Sequence, residues 1–426
     1  MKFEFIGNAS GIFHGDNGTK LLCDPWINNG VFDGSWCHYP PLKTTMEDLI
    51  NDVSSGDIDA LYISHIHPDH YDDRYFNFPK NVPIIVLDHK FNFLIKNLER
   101  AGFTNLIRVK NDETIIFNEF EITLYAPFAK HNFHDSRLGN LIDSALVVKS
   151  GNTTALNAND NTPTVEACRK LKDKFKKIDL AMINYNAAGP YPSCFDNLNE
   201  SEKIAEHNKV LLRNYDYMVS LVNELNPSYV LPFAGAYVLG GRLFSKNKYL
   251  GTSTWDKCKK YIEQKIVSGS EVICLRERDV FDLASGKPNK EYVKIDENHM
   301  NEYIEKEISQ LQYPYEKDSF PDGEVLLKDI QIAIDSMRER MGRLNIVLET
   351  AIFLDIDGKY IQIYPHNSSQ KTSQKLTCKL DIRLLRRILD RKSHWNNAEI
   401  GCHIDFIRRP NIYEFDAHTA LQFFHI

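Results

Sequence analysis

Three histidines and one aspartate lie within six residues, directly after an apolar segment that has the composition of a strand. The segment is DALYI (59–63), and it is followed by His65, His67, Asp69 and His70. Residues two apart in an extended chain point the same way, so His65 and His67 can present two imidazoles to one point. The turn after them can direct Asp69 and His70 to a neighbouring point. Because imidazole and carboxylate groups bind zinc, iron or manganese, the spacing predicts a site for one or two divalent metal ions.

The composition is that of a globular protein with more than one domain. The chain has 426 residues, of which 42% are hydrophobic, and roughly 100–200 residues per domain gives about two to four domains. Its 51 basic and 58 acidic residues leave a net charge of −7, which does not favour a nucleic-acid binder. The sequence contains no signal-peptide pattern and no long uncharged apolar run, so we expect a cytoplasmic protein without a membrane span. Its eight cysteines are isolated, which is typical of reduced structural thiols.

Short strands and helices are predicted around the histidine-rich motif, as far as about residue 285. Runs of β-branched and aromatic residues alternate with Gly, Pro, Asn and Asp, and Asp16 to Gly18 is typical of a hairpin turn. Thr45 to Val53 and Phe91 to Ala101 are helical windows. In the longest one, Glu200 to Leu225, apolar residues recur with a period near 3.6, which predicts a helix packed on a sheet.

The H-x-H-x-D-H string after a strand, with Asp24-Pro25-Trp26 after an earlier strand, resembles the metallo-β-lactamase superfamily. Shorter strings in residues 1–285 are similar to the metallo-β-lactamase-like part of CMP-N-acetylneuraminate hydroxylases. They are Asp143-Ser144, Asn159-Asp160, Asn214-Tyr215-Asp216 and Leu231-Pro232-Phe233-Ala234-Gly235. The resemblance implies an α/β fold in which residues 1–285 form a catalytic αββα sandwich, two sheets with helices outside.

The resemblance also implies metal ligands outside the motif. A histidine should follow the predicted strand FEITLYAP (120–127), where His131 and His134 are available. Since Pro127 should end the strand, His131 lies nearer the sheet and is favoured as the ligand, with His134 left to support or contact the substrate. A bridging carboxylate is expected at Asp160, although this residue suits a turn or a helix N-cap as well. Asp69 and Asp160 are then the predicted catalytic residues.

Two departures from the resemblance affect the second metal ion and the electron supply. The segment SYVLPFAGAYV (228–238) has no late histidine, and Asn8-Ala9-Ser10 replaces the usual His-Ala-Ser. The second site is therefore weaker, is completed by water, substrate or a distant residue such as His14, or is absent. The paired Cys-x-His and Cys-x-x-His motifs of a Rieske cluster are also missing from the sequence. An oxidative reaction would then depend on a separate redox partner.

Candidate substrate contacts come from an aromatic loop and from basic residues. The loop DGSWCHYPP (33–41) contains Trp36 and His38, which either stack on a sugar or base or only anchor the loop. Tyr237 lies in the late segment described above. Arg242 is the favoured cation for an anionic group, ahead of the helical Lys203, Lys209 and Arg213, although most such cations only solvate a helix face.

The region after residue 285 is predicted to form a helical connector (286–324) and an α+β module (325–426). Charged helices are expected at Lys290 to Gln312 and Val325 to Glu349, and the tract Tyr313 to Gly323 should be exposed. Near the C-terminus, an amphipathic helix, a Trp-Asn-Asn turn and a strand are expected. This segment is similar to sterol-carrier-like modules that follow the catalytic domain in some members of the superfamily.

Three functions from different classes remain open on these observations. The leading hypothesis is a hydrolase that uses a metal-activated water on a small anionic substrate containing a sugar or a nucleotide. The second is an iron-dependent oxidoreductase or hydroxylase with the same ligands and an external electron donor. The third is a non-catalytic binding protein that metal stabilises, which the missing late histidine favours and an open site argues against. The substrate class follows from the resemblance alone.

Overall fold

The computed structural model describes residues 1–89, 92–129, 142–365 and 371–426. His131 and His134 therefore lie outside the described residues. In chain order the strands are β1 (Lys2–Gly7), β2 (Ser10–His14), β3 (Lys20–Cys23), β4 (Trp36–Cys37), β5 (Ala60–Tyr62), β6 (Ile84–Leu87), β7 (Leu106–Val109), β8 (Thr114–Phe117), β9 (Phe120–Tyr125), β10 (Ala145–Ser150), β11 (Thr153–Asn159), β12 (Leu180–Ile183), β13 (Tyr229–Pro232), β14 (Val238–Leu239), β15 (Glu271–Val272), β16 (Val280–Asp282), β17 (Lys287–Pro288), β18 (Thr350–Ile356), β19 (Lys359–Tyr364), β20 (Gln374–Lys379) and β21 (Asp405–Arg409). The α-helices are α1 (Met46–Ser54), α2 (Phe93–Arg100), α3 (Val165–Phe175), α4 (Glu200–Leu225), α5 (Trp255–Glu263), α6 (Glu297–Lys306), α7 (Gly323–Arg343), α8 (Ile382–Leu389), α9 (Trp395–Ile400) and α10 (Phe415–Leu421).

Two large mixed sheets face each other and enclose the main core. The first has the strand order β17-β16-β1-β2-β3-β5-β6-β7, and the second has the order β15-β13-β12-β11-β10-β9-β8. Alternate residues of a strand serve different layers: Tyr62 and Ile85 pack between the sheets, whereas Leu61 and Ile84 pack against α1 and α2. Helices α3, α4 and α5 cover the second sheet with apolar faces. This is an αββα sandwich, as the sequence predicts.

The long helix and the parallel strands explain where functional side chains can gather. Helix α4 has the predicted bounds, and Asn199 and Glu202 form a capping box at its start. Strands β3, β5, β6 and β7 run parallel in the first sheet, and β11, β12, β13 and β15 run parallel in the second. Parallel strands end at the same edge, so the residues that follow them are brought together.

The C-terminal residues form a four-stranded sheet, β19-β18-β20-β21, that packs on the sandwich instead of standing apart. One hydrophobic cluster contains Trp36 and Phe195 of the first part of the chain together with Trp395 and Phe406 of the last. Phe195 also forms a β-bridge with Phe406. The proposed division into residues 1–285, 286–324 and 325–426 therefore crosses a continuous apolar core.

Three predictions for the C-terminal half differ from the structure. The predicted helix Lys290 to Gln312 is shortened to α6, which a 3₁₀ turn follows (Ile308–Gln310). The connector Tyr313 to Gly323 is not exposed throughout, because the Tyr313 and Tyr315 rings are fully buried against Arg242 and His403. The predicted Trp-Asn-Asn turn is the short helix α9, which His394 caps by accepting from a backbone N–H. Apolar tertiary contacts thus override the local sequence patterns that predict exposed or turn structure.

None of the helices that the structure describes combines the length and the apolar character needed to cross a bilayer.

Replacing Asp33 with asparagine is expected to stabilise the protein above about pH 6. Burial raises the pKa of Asp33 to about 6, although a hydrogen bond from Ser393 opposes the shift. The folded state therefore holds a proton that the unfolded chain releases, and the stability that this contributes at low pH is lost as the pH rises from about 4 to about 6. After allowance for partial exposure, Asp33→Asn should raise the free energy of unfolding by about 2 kcal/mol at pH 8 and by little at pH 4. Urea unfolding at both pH values measures this.

Asp357 offers a matched control for that substitution. Both aspartates have a left-handed backbone, with φ of 57° at Asp33 and 50° at Asp357, but Asp357 is exposed in the β18–β19 turn. Asp357→Asn should change stability equally at both pH values. An equal effect of Asp33→Asn at pH 4 and pH 8 would contradict the prediction.

Candidate metal centre

The histidine-rich motif lies at the edge of the sandwich where the parallel strands end. His65, His67, Asp69 and His70 follow β5, and Asp160 directly follows β11 of the facing sheet. Among the residues that the structure describes, two groups have ligand atoms that all lie within 4.8 Å of one another: the first is His65, His67 and Asp143, and the second is His65, His70 and Asp160. Each group contains the imidazole and carboxylate donors that transition metals prefer. Either group could hold a divalent metal ion.

His65 lies at the centre of this arrangement. Its Nε2 is 2.9 Å from Nδ1 of His67, 3.7 Å from Oδ1 of Asp143 and 4.0 Å from Oδ2 of Asp160. On the other side, Nε2 of His70 is 3.4 Å from Oδ2 of Asp160 and 3.5 Å from Oδ2 of Asp69. These nitrogen–carboxylate separations exceed those of good hydrogen bonds. The imidazoles and carboxylates thus converge at separations that leave room for a cation between them.

A buried hydrogen-bond network orients the rings of His65 and His70 through the ring nitrogens that point away from the other donors. Asp24 accepts hydrogen bonds from the backbone N–H of Ser64 at 2.7 Å and from the Ser64 hydroxyl at 2.7 Å. Nδ1 of His70 lies 3.0 Å from Oδ2 of Asp24, and Nδ1 of His65 lies 3.0 Å from Oγ of Ser64. Both rings therefore keep a proton on Nδ1 and direct Nε2 towards the centre. Partners of this kind fix the tautomer of a metal-binding histidine.

Asn8, which replaces the usual histidine, contacts the late loop that also lacks a histidine. Its Nδ2 donates to Oδ2 of Asp69 at 3.4 Å, and its side-chain oxygen accepts from the backbone N–H of Ala236 at 2.9 Å. The backbone oxygen of Asn8 accepts from the N–H of Ala234 at 3.3 Å. The late loop, which has no histidine, thus ties Asn8 in place, and Asn8 in turn holds Asp69.

Asp160 is oriented towards the histidines and does not cap a helix. Helix α3 begins at Val165 and is capped by Thr164, so Asp160 lies outside the helix start. Nδ2 of Asn184, which follows β12, donates to Oδ1 of Asp160 at 3.2 Å. That bond leaves Oδ2 of Asp160 facing His65 and His70.

Burial and the charges gathered at the site shift the pKa values of its residues in different directions. Burial, reinforced by neighbouring imidazoles, lowers the pKa of His65 well below its usual value, and burial lowers that of His67 to about 4. Burial disfavours a charge on His70, but the carboxylates, Asp69 foremost, outweigh it and raise the pKa of His70. Burial raises the pKa of Asp69 to about 7, whereas the charge of His70 overcomes burial and lowers the pKa of Asp160. His65, His67 and Asp160 thus have the protonation states that a divalent cation needs, while a cation at His70 would displace the proton of that ring.

Other predicted residues lie away from this centre. His38 is buried, with its ring centroid 3.8 Å from that of Trp26, and His14 Nε2 lies 2.9 Å from Oε2 of Glu4. Arg242 interacts with Glu316 and Tyr315 and does not line the metal-side cleft.

The aromatic loop contributes a wall to the cleft. Trp36 is only 1% exposed and stacks on Tyr237 with ring centroids 3.4 Å apart. Its Nε1 donates to the backbone oxygen of Ile400 at 3.3 Å. Trp36 therefore anchors the loop to the C-terminal residues while its ring edges the cleft.

The cleft beside the donors has a volume of about 470 Å³ and two kinds of wall. One wall is polar, and its residues come from the sandwich. They are His67, Asp69, Asp160, Thr162, Asn184, Asn186 and Arg213. The other part of the lining comes from the C-terminal residues Asn396, Glu399, Ile400 and Gln422, together with Phe32 and Trp36. A cleft of this volume is large enough for a small polar molecule.

Sequence reasoning did not assign Asp143 as a ligand. Asp143 lies just before β10, and β10 pairs antiparallel with β11, so the start of β10 lies beside the end of β11 where Asp160 is. The register of that hairpin is the signal that could have indicated the carboxylate. The contribution of Asn396 has no comparable signal, because it lies 329 residues from His67.

Comparisons with known proteins find relatives that match part of the chain. No protein-family profile matches the chain. A protein of Mycolicibacterium smegmatis named as a Rieske 2Fe-2S iron–sulfur protein is 29% identical over 243 residues, which cover 55% of this chain and 43% of that protein. A cytidine monophosphate-N-acetylneuraminic acid hydroxylase of Macaca mulatta is 23% identical over 288 residues, 64% of this chain and 44% of that protein. The chain thus matches less than half the length of these curated relatives.

A solved structure from Veillonella parvula, described as a metal-dependent hydrolase, covers 66% of this chain and 98% of its own length. Its TM-score is 0.48 and its sequence identity is 16%.

Proposed function

We propose that this chain is a metal-dependent enzyme that hydrolyses a small anionic substrate in the cleft beside His67 and Asp160. The convergence of the two donor groups on one open cleft carries the proposal. In this proposal His65, His67 and Asp143 would hold one ion, and Asp69, His70 and Asp160 would hold a second.

The residues that line the cleft would have different roles in this reaction. When bound, divalent ions would acidify a coordinated water and polarise a substrate oxygen. Asp69, held by Asn8, faces the cleft and can orient a water or accept its proton. Asn184 keeps Asp160 turned towards the histidines, and the C-terminal wall limits access of bulk water to the donors.

Replacing Arg213 with glutamine is expected to weaken substrate binding. Arg213 lies on α4, lines the cleft and forms no ion pair within the described part of the chain. A charged hydrogen bond to an anion contributes about 1.5–3 kcal/mol, so Kd for CMP, a nucleotide probe, or KM for a substrate should rise about 10–100-fold. Turnover at saturation should change little. Titration calorimetry with CMP measures the effect.

Lys209, one turn earlier on α4, provides the control. It is paired with Glu206 and does not line the cleft, so Lys209→Gln should leave CMP binding unchanged. Equal weakening by the two substitutions would mean that general electrostatics, and not Arg213, attracts the anion.

An iron-dependent oxidation is the second candidate, and Asp143 favours it. Two histidines and one carboxylate form the donor set of many non-haem iron enzymes, and His65, His67 and Asp143 have that composition. The name of the hydroxylase relative points the same way. The substrate would then occupy the same cleft, and a separate protein would supply the electrons.

Metal analysis of protein purified without oxygen tests these proposals. Zinc in active protein supports hydrolysis, whereas iron with an oxygen-dependent colour change supports oxidation. If metal-free and metal-loaded protein bind CMP equally and neither turns over a sugar nucleotide, the chain is a binding protein that metal only stabilises.

A further inference from the structure

We propose that Asn396, which belongs to the C-terminal α+β part of the chain, is a positioning residue for the metal ligand His67. The C-terminal residues then form part of the metal centre and are more than a covering module. This inference rests on the proposed metal site. It adds a residue to that site from a region to which no metal function is otherwise assigned.

The side chain of Asn396 reaches the far side of the His67 ring. Nδ2 of Asn396 lies 3.3 Å from Nε2 of His67. The other ring nitrogen, Nδ1, lies 2.9 Å from Nε2 of His65 and therefore faces the donor cluster. His67 is thus held between the cluster on one side and the C-terminal helix α9 on the other.

Buried packing and hydrogen bonds hold helix α9 in place beside the cleft. Trp395, the neighbour of Asn396, is 1% exposed within the hydrophobic cluster shared by the two parts of the chain. At the end of the helix, the backbone oxygen of Gly401 accepts from the Ser35 hydroxyl at 2.8 Å, and that of Ile400 accepts from the Trp36 indole at 3.3 Å. These bonds join α9 to the loop that edges the cleft, so the amide of Asn396 is held beside His67.

The amide of Asn396 can hydrogen-bond to either neutral tautomer of the His67 ring. In the arrangement described, the proton of His67 lies on Nδ1 and is donated to His65, and Asn396 donates to the lone pair on Nε2. A ligand that uses Nδ1 must carry its proton on Nε2 instead. Rotation of the amide by half a turn then offers Oδ1 to that proton. Asn396 would thereby stabilise the metal-binding tautomer of His67, as outer partners of metal-bound histidines do.

The role of Asn396 can be separated from a purely structural one by three variants of the full chain. Asn396→Leu keeps the approximate size but cannot accept a hydrogen bond from His67, so the Kd for Zn²⁺ or Fe²⁺ should rise about 10–100-fold. Asn396→Asp keeps an acceptor and should restore affinity to within about threefold of the wild type. Asn397→Leu is the control, because Asn397 lines a different cavity beside Ile388 and Phe424. Competition with a chromophoric chelator measures each Kd, and thermal unfolding without metal checks folding.

The outcomes distinguish this inference from the proposed metal site. If Asn396→Leu alone weakens metal binding and Asn396→Asp restores it, the positioning role is established. If the wild-type chain binds metal and Asn396→Leu binds it equally well, the positioning role is wrong while the metal site stands. If Asn396→Leu and Asn396→Asp lose the same affinity, Asn396 acts only through packing, and the inference is also wrong. A wild-type chain that binds neither ion removes both proposals.

Discussion

Replacement of His65 by alanine is expected to abolish binding of the first ion and, with it, activity. The Nε2 of His65 lies within 4.0 Å of donor atoms from His67, Asp143 and Asp160. Loss of a residue that only orients a ligand costs about 10–100-fold in metal affinity. Loss of a ligand itself should exceed that, so affinity for the first ion should fall by more than about 100-fold, with a smaller loss for the second.

The His65→Ala experiment needs only metal analysis of the purified chain and a stability control. Metal content per chain, counted after passage through a desalting column, should fall by one ion relative to the wild type. His14→Ala is the matched histidine variant, because His14 pairs with Glu4 in the first sheet and should keep the full metal content. Wild-type metal content in His65→Ala would refute the assignment of His65 to the first ion.

The second large effect is expected at Asp143, which the structure adds to the site. Asp143→Asn keeps the size of the side chain and removes the charge that would bind the first ion. With Oδ1 of Asp143 3.7 Å from Nε2 of His65, the carboxylate is placed to complete the set with His67. We expect a loss of at least about 10–100-fold in affinity at one ion, with the ion at His70 and Asp160 weakened less.

This result also tests the earlier expectation for His131 and His134. His131→Ala was expected to lower metal occupancy and His134→Ala to alter mainly turnover, and neither residue lies in the described part of the chain. If Asp143→Asn loses the first ion and both histidine variants keep it, the third ligand is a carboxylate. If His131→Ala loses the ion as well, the first ion has four protein ligands.

Asp179, a buried aspartate at the opposite end of the second sheet, provides a control for the loss of a carboxylate charge. Asp179 is 3% exposed and accepts from the backbone N–H of Thr154 at 2.9 Å, at the start of β12. Asp179→Asn should lower stability without changing metal content. Unchanged metal content in Asp143→Asn as well would overturn the assignment of Asp143.

The sequence determined the type of fold and the centre of the site because both depend on local patterns. Short, continuous apolar runs bounded by turn residues identify strands such as β5 and β6, whose two faces are both covered in the structure. His65, His67, Asp69 and His70 lie within one turn of one strand end, so their convergence required no knowledge of distant contacts. The same holds for α4, whose period and caps lie within its own sequence.

Only the tertiary structure decided which distant residues complete that centre. Asp143 reaches it through the register of a hairpin, and Arg213 through the face of α4 that packs over the cleft, while the favoured cation Arg242 pairs with Glu316 elsewhere. Asn396 arrives from a helix where a turn was predicted, 329 residues from His67. Contacts of this range depend on how whole sheets and helices pack, and the free energy of that packing is spread over many residues. No local pattern therefore marks them in the sequence.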